Sequence, residues 1–408
     1  MSGGAFSGAR LARLHDALAA HVANGAMSGI VALVSRRGET HVETIGKQSF
    51  EAEAPMRRDT IFRIASMTKP ITAAAALILV EECRLRLDDP VDDWLPELAD
   101  RRVLKSLEGP VDDTVPAKRA IRVRDLLTFT FGLGLVMEWP PRHPIQKAMT
   151  ELEVAPGPFQ PELPADEFMK RLGSLPLIHQ PGEGWLYHTG SDVLGVLIAR
   201  ASGQSLATFL RERLFEPLGM RDTGFTVPAE KLDRLASAYM GVPGGAPGKA
   251  ERTFFDDARA SRWSKPRAFE AGGSGLVSTV DDFHAFYRML LNKGRVTSAG
   301  MGHERVLSRA AVELMMSDQL TSQQKAGTEL FFGHGASWGM GGAVVTRRTD
   351  LYATPGRFGW DGGYGTSAHV DPAEDVVGVL LTQRMMESPQ PPRVFRDFWT
   401  SAYQAIDD

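Results

Sequence analysis

Arg63-Ile64-Ala65-Ser66-Met67-Thr68-Lys69-Pro70-Ile71-Thr72-Ala73-Ala74-Ala75-Ala76-Leu77 carries an S-x-x-K pattern at the start of an apolar run. If Ser66 begins a helix, Lys69 lies one turn on, where side chains of one face meet. A base then stands beside a hydroxyl. The helix N-terminus favours negative charge developing on the serine oxygen, and Pro70 is tolerated within the first turn. Residues 70–87, PITAAAALILVEECRLRL, are apolar nearly all round at first, the pattern of a helix buried in a large core.

Two other strings compete for the nucleophile. Gly335-Ala336-Ser337-Trp338-Gly339 matches G-x-S-x-G, but a nucleophile elbow needs a strand before it, a helix after it, and an acid and a histidine later in the chain. Only His369 follows, and Gly341-Gly342-Ala343-Val344-Val345 continues as a glycine-rich strand, so Ser337 reads as a tight strand entry. A second S-x-x-K, Ser322 to Lys325, lies in a polar segment before Gly327 with no buried helix to hold it. Ser66 is the stronger candidate.

The remaining composition narrows the chemistry. The chain has 408 residues, enough for a large core in one composite or two simple domains. A net charge of -4 with no Lys/Arg stripe argues against nucleic-acid binding. Ten scattered histidines without H-E-x-x-H or a Cys/His set give no metal site, and the lack of G-x-G-x-x-G or a Walker loop removes nucleotide cofactors, so no cofactor is expected. The single Cys83 cannot form an internal disulfide and reads as a core or edge residue of the apolar helical run. Asp88-Asp89-Pro90-Val91-Asp92-Asp93 reads as a solvated turn, because Pro90 breaks the alternation that a calcium loop requires.

At the N-terminus Leu11, Leu14, Leu18 and Val22 share one helical face, the pattern of a surface helix rather than a signal peptide. No segment reaches 18 uninterrupted apolar residues, so no membrane span and a cytoplasmic location are expected. Gly29 to Lys47 reads as a hairpin turning at Arg36-Arg37-Gly38. Ser191 to Phe215, Thr279 to Asn292, Ser308 to Met316 and Pro392 to Ile406 read as helices. Gly341 to Arg347, Ser367 to Val370 and Asp375 to Gln383 read as strands. Strands at both ends around a helical middle suggest one mixed sheet completed by the two termini. The Pro/Gly-rich stretches Val136 to Asp166 and Thr226 to Gly273 are long enough to serve as lids or walls of a site.

RIASMTKPITAAAAL, LLTFTFGLG (126–134), PGEGWLYHTGSDVLGVLIARASGQSL (181–206), LFEPLGMRDTGF (214–225), GGSGLVSTVDDF (272–283) and WDGGYGTSAHVDP (360–372) together resemble the class C β-lactamase-like serine hydrolases, most nearly the family VIII carboxylesterases. The blocks follow the family's order over most of residues 25–385. The resemblance implies an α/β (α+β) serine β-lactamase/penicillin-binding-protein-like fold, with a mixed, mainly antiparallel sheet flanked by helices plus a mostly helical region. Residues 1–66 with 270–408 would form the α/β region and 67–269 the helical one, with the active site between them.

By the same resemblance Ser66 would attack the carbonyl, Lys69 would take its proton, and Tyr187 would complete a Ser-Lys-Tyr centre. The amides of Ser66 and Gly363 would form an oxyanion hole, which must present two donors to the tetrahedral oxygen. A phenol can act as a base only where positive charge stabilises the phenolate, and Lys69 would supply it. Which of the two accepts the serine proton stays open at this point. Trp360-Asp361-Gly362 stands where β-lactamases carry K-T-G, and Phe129, Phe131 and Thr189 occupy further positions of the family's substrate-binding motifs. Tyr187-His188-Thr189 lacks the asparagine of Y-x-N, Asp361 replaces a glycine, and Phe129 and Phe131 make their wall more apolar.

The expected substrate is a small-molecule carboxylic ester. The alternatives are a β-lactamase, D,D-peptidase or D-aminopeptidase, an acyltransferase, and a non-catalytic scaffold. The sequence assigns no oligomeric state.

Overall fold

The computed structural model describes residues 4–138, 140–241, 252–296 and 305–407. Its seven-stranded sheet consists of β1 (Gly29–Arg36), β2 (Glu39–Gly46), β3 (Ala336–Trp338), β4 (Ala343–Val345), β5 (Phe358–Gly362), β6 (Thr366–Asp371) and β7 (Val376–Thr382). The spatial order is β2-β1-β7-β6-β5-β4-β3, and every ladder is antiparallel. The hairpin from the start of the chain is thus joined to its end, with Ile30 opposite Thr382 and Arg36 opposite Val376.

The five longest helices are α1 (Gly8–Ala23), α2 (Thr68–Glu81), α3 (Thr189–Ser202), α4 (Val280–Leu291) and α5 (Arg393–Gln404). All eight residues of β1 are buried, because helices cover both faces of the sheet there. Ile30, Ala32 and Val34 pack with Leu14 and Leu18 of α1 and Phe395, Phe398 and Trp399 of α5. Val31 and Leu33 point the other way, into the main core that also holds Phe283, Phe286 and Tyr287 of α4.

Every residue of α2 from Thr68 to Leu79 is buried. The helix ends at Glu81 rather than continuing to Leu87, because Cys83, left-handed at φ 58°, closes it and the chain doubles back, Leu85 N–H donating to Leu79 O, while Leu85 itself stays in the core. Cys83 is exposed, which places it at the helix edge and outside the core. The periodicity of Ser191 to Phe215 divides at Gly203, a left-handed C-cap at φ 74° that ends α3. Between Thr226 and Gly273 the glycine/proline-rich centre, 242–251, lies outside the described residues. No single helix among the described residues is long and apolar enough to cross a membrane.

Candidate active site

A short strand, Phe62–Arg63, pairs with Val277–Ser278 and delivers the chain to a single turn of 3-10 helix, Ala65–Met67, that leads into α2. Ala65 makes the corner at φ 45°, a left-handed conformation that costs a non-glycine residue about 1 kcal/mol. Three of the nine described non-glycine residues with positive φ, Ala65, Phe129 and His188, border one small region, so backbone strain is concentrated there. The corner is braced from both sides. Ile64 N–H donates to Leu276 O at 3.1 Å, and Thr366 Oγ1 donates to Ile64 O at 3.2 Å. Ser66 emerges at the N-terminal end of α2, as its sequence pattern predicts.

Lys69 Nζ lies 2.9 Å from Ser66 Oγ. It also donates to Gly273 O at 2.7 Å and meets His188 Nδ1 at 3.3 Å. The side chain is fully buried, and that desolvation lowers its pKa from 10.5 to about 7, with the Asp192 charge acting in the opposite sense. At pH 7 roughly half of such lysines hold a free amine, against roughly one in three thousand for an unperturbed one. Burial therefore leaves Lys69 able to hold a free amine near neutral pH, beside the Ser66 hydroxyl.

Tyr187 stands in an aromatic cluster with Phe331 at 4.9 Å, Trp360 at 5.6 Å, Trp185 at 5.7 Å and Phe129 at 5.9 Å between ring centroids. Trp360 Nε1–H donates to the phenol oxygen at 2.6 Å. Burial pushes the phenol pKa well above its ordinary value, and hydrogen bonds from Ser66 and Trp360 recover only part of that shift. Lys69 Nζ sits over the tyrosine ring, 4.6 Å from its centroid. In this geometry the lysine charge faces the ring, and the phenol stays protonated.

These groups open onto a cleft of about 440 Å³ bordered by Ser66, Tyr187, His188, Trp360, Asp361 and Gly363. Its outer wall comes from residues 135–158, through Leu135 and Val136, Met149 on the short helix Pro144–Glu151, and Pro156 and Pro158, and from Met385 and Met386 after β7. Tyr364 O–H donates to Pro158 O and Gln160 Nε2–H to Ser274 O, so the wall is fastened to the site. The cleft is mainly apolar.

Several expected substrate contacts are placed elsewhere. Phe129 is buried behind Tyr187, stacked on Trp338 at 4.9 Å, and Phe131 belongs to the main core, so neither borders the cleft. Thr189 is buried in the first turn of α3 and likewise does not border it. Asp361 borders the cleft, but its carboxylate accepts from Ser367 Oγ at 2.6 Å, on the sheet face opposite Trp360, because strand neighbours alternate. Burial raises that carboxyl to about 6.

Gly362 is a spacer rather than a substrate contact: a Cβ there would collide with the Ile64 carbonyl and Thr366 Oγ1. Gly363 borders the cleft and has open space where a Cβ would stand. Gly362→Ala is expected to push the Ser66 turn off β5 and lower kcat about 100-fold, the effect of roughly 1 Å of misplacement. Steady-state kinetics on the folded variant check this, and a wild-type kcat would remove the spacing role.

The competing motifs resolve into packing. Ser337 is buried in mid-strand with its hydroxyl donated to Asp318, and Lys325 of the second S-x-x-K pairs with the same Asp318 at 2.6 Å. Sequence reasoning missed His188, Asp192, Gly273 O and the strap 385–391. The first two carried a signal, a histidine and an aspartate four residues apart across a helix start.

The antiparallel sheet, the buried helix and the serine–lysine pair at its N-terminus define the β-lactamase-like class of serine hydrolases. A family model described as Beta-lactamase matches residues 14–396, and the chain belongs to that family. An uncharacterized protein of Mycobacterium tuberculosis is 40% identical over 367 residues, covering 88% of this chain and 86% of its own. Esterase EstB of Burkholderia gladioli is 33% identical over 385 residues, covering 89% and 88%. Among solved structures, EstCE1, described as a hydrolase with promiscuous acyltransferase activity, aligns with a TM-score of 0.78 at 26% identity, covering 97% of this chain and 98% of its own. The protein is a serine hydrolase of the esterase/acyltransferase type, related to the family VIII esterases.

Proposed function

We propose that the protein is a carboxylesterase that hydrolyses neutral esters through an acyl-enzyme on Ser66. The observation that carries this reading is Lys69 Nζ, 2.9 Å from Ser66 Oγ and with its pKa lowered to about 7 by burial. The free amine takes the Ser66 proton as Oγ attacks the ester carbonyl carbon. The electron pair of the C=O bond moves to oxygen, where the amides of Ser66 and Gly363 donate to it. On collapse the C–O bond to the alcohol breaks, and Tyr187, kept protonated by burial, gives its proton to the leaving oxygen while Lys69 returns one to the phenolate. Water then repeats the sequence on the acyl-enzyme. Because the cleft wall is mainly apolar, an alcohol can take the place of that water, and acyl transfer is the second outcome of the same intermediate.

The test is labelling with a fluorophosphonate followed by peptide mapping. Label on the Ser66 peptide is expected, together with a burst of chromogenic alcohol equal to the active-site concentration. Label on the Ser337 peptide would overturn the assignment.

A further inference from the structure

Behind Lys69 the hydrogen bonds close a ring. Lys69 Nζ donates to Gly273 O at 2.7 Å, and Gly273 N–H donates to Asp192 Oδ1 at 2.8 Å. Asp192 Oδ2 lies 3.2 Å from His188 Nε2, and His188 Nδ1 lies 3.3 Å from Lys69 Nζ. His188, Asp192 and Lys69 are all more than nine-tenths buried, and His188 holds φ at 83° to place its ring between the other two. A left-handed histidine at a buried position is costly enough that the surrounding structure must over-determine it. Here the determinants are the two partners of the ring.

The donors and acceptors admit one arrangement for a working base. An ionised Asp192 only accepts, so His188 Nε2 carries the hydrogen of a neutral ring and Nδ1 is bare. A neutral Lys69 has two N–H groups and one lone pair. The N–H groups go to Gly273 O and His188 Nδ1, which leaves the lone pair aimed at Ser66. We propose that His188 and Asp192 form a positioning pair that fixes the orientation of the Lys69 amine by holding His188 in the Nε2–H tautomer. The inference rests on the Ser66–Lys69 reading of function. The titratable and charged groups that face Lys69 are Tyr187, through its ring, His188 and Asp192.

Asp192→Asn tests the tautomer with little change of shape. The amide oxygen can keep the bond to Gly273 N–H, which places the NH2 group against His188 Nε2. That nitrogen must then accept, the hydrogen moves to Nδ1, and it points at Lys69 and captures the lone pair. A histidine held in the wrong tautomer costs a serine hydrolase orders of magnitude. The loss of the Asp192 charge also removes what holds the lysine pKa up.

The readout is the second-order rate at which a neutral sulfonyl fluoride labels Ser66, measured from pH 5 to 10 beside turnover of a short-chain nitrophenyl ester. Asp192→Asn is expected to lower the plateau of both about 100-fold and to shift the rising limb to lower pH. A merely structural loss would lower the plateau and leave the limb in place. His188→Asn supplies an acceptor on a residue that tolerates positive φ and should stay within about tenfold of wild type, whereas His188→Ala should fall about 100-fold. A folded Asp192→Asn protein with a wild-type plateau and limb would overturn the positioning role, as would equal losses in His188→Asn and His188→Ala with no shift of the limb. Wild-type protein that is not labelled at Ser66 would overturn the functional reading and this inference with it.

Discussion

Lys69→Ala is expected to lower kcat by about three orders of magnitude or more and to erase the neutral limb of the pH profile. The sign follows from the amine. Burial lowers Lys69 from 10.5 to about 7, and only the neutral form accepts the serine proton. In the wild-type enzyme kcat/KM should therefore rise as pH rises through about 7 and level off above it. A tyrosinate base would place that limb far higher, because burial drives Tyr187 upward. Tyr187→Phe should also lower kcat by orders of magnitude, since it removes the proton donor 2.6 Å from Trp360 Nε1 without disturbing the ring packing. The double variant should lose little more than the worse single one, because in the proposed mechanism the two groups serve one proton path. A Tyr187→Phe enzyme with near-normal kcat would leave Lys69 to act alone and reduce the phenol to packing.

The second large effect is selectivity, with ester turnover expected to exceed cephalosporin turnover by about 100-fold or more in kcat/KM. A β-lactam brings a carboxylate close to the scissile ring. Among the described residues that border the cleft there is no lysine or arginine, and the charged ones are Glu138, Asp361 and Glu387. A carboxylate desolvated there without a cation loses about 3 kcal/mol, which is roughly two decades of rate. Repulsion by Asp361 is not the main cause, since its carboxylate is turned away and held by Ser367. The missing cation is. A chromogenic cephalosporin and a short-chain nitrophenyl ester measured on one preparation decide the matter, and comparable rates would contradict the expected selectivity.

How much of the site was legible in the sequence depended on whether neighbours in the chain are neighbours in space. Ser66 and Lys69 lie one helical turn apart, so their contact follows from helix geometry and from the apolar run that buries α2. The strand and helix periods located β1, β2, β6, β7 and α4 to within a few residues for the same local reason. Helix ends were less legible: α2 stops at Glu81 because the backbone turns left-handed at Cys83, a fact that the i, i+4 pattern does not carry, since Leu85 beyond it is again buried.

Long-range partners divided by what named them. Tyr187 and Trp360 came from the resemblance of whole blocks, because neither residue type marks a site by itself. Phe129, Phe131 and Thr189 were misplaced because a motif position does not say whether a side chain faces the cleft or the core. The left-handed backbone of Phe129, at φ 61°, turns it to the back of Tyr187.

By itself, the sequence determined a buried helix with a serine and a lysine at its start, a sheet closed by both chain ends, and a non-basic chain without metal or nucleotide motifs. Only the tertiary structure decided that the lysine is desolvated to a pKa of about 7, that the phenol is held protonated, and that the Asp361 carboxylate is turned from the cleft to Ser367. The physical reason is that protonation and orientation depend on what surrounds a group in three dimensions. For Lys69 those surroundings are His188, Asp192 and the Gly273 carbonyl, brought together from more than a hundred residues away in the chain.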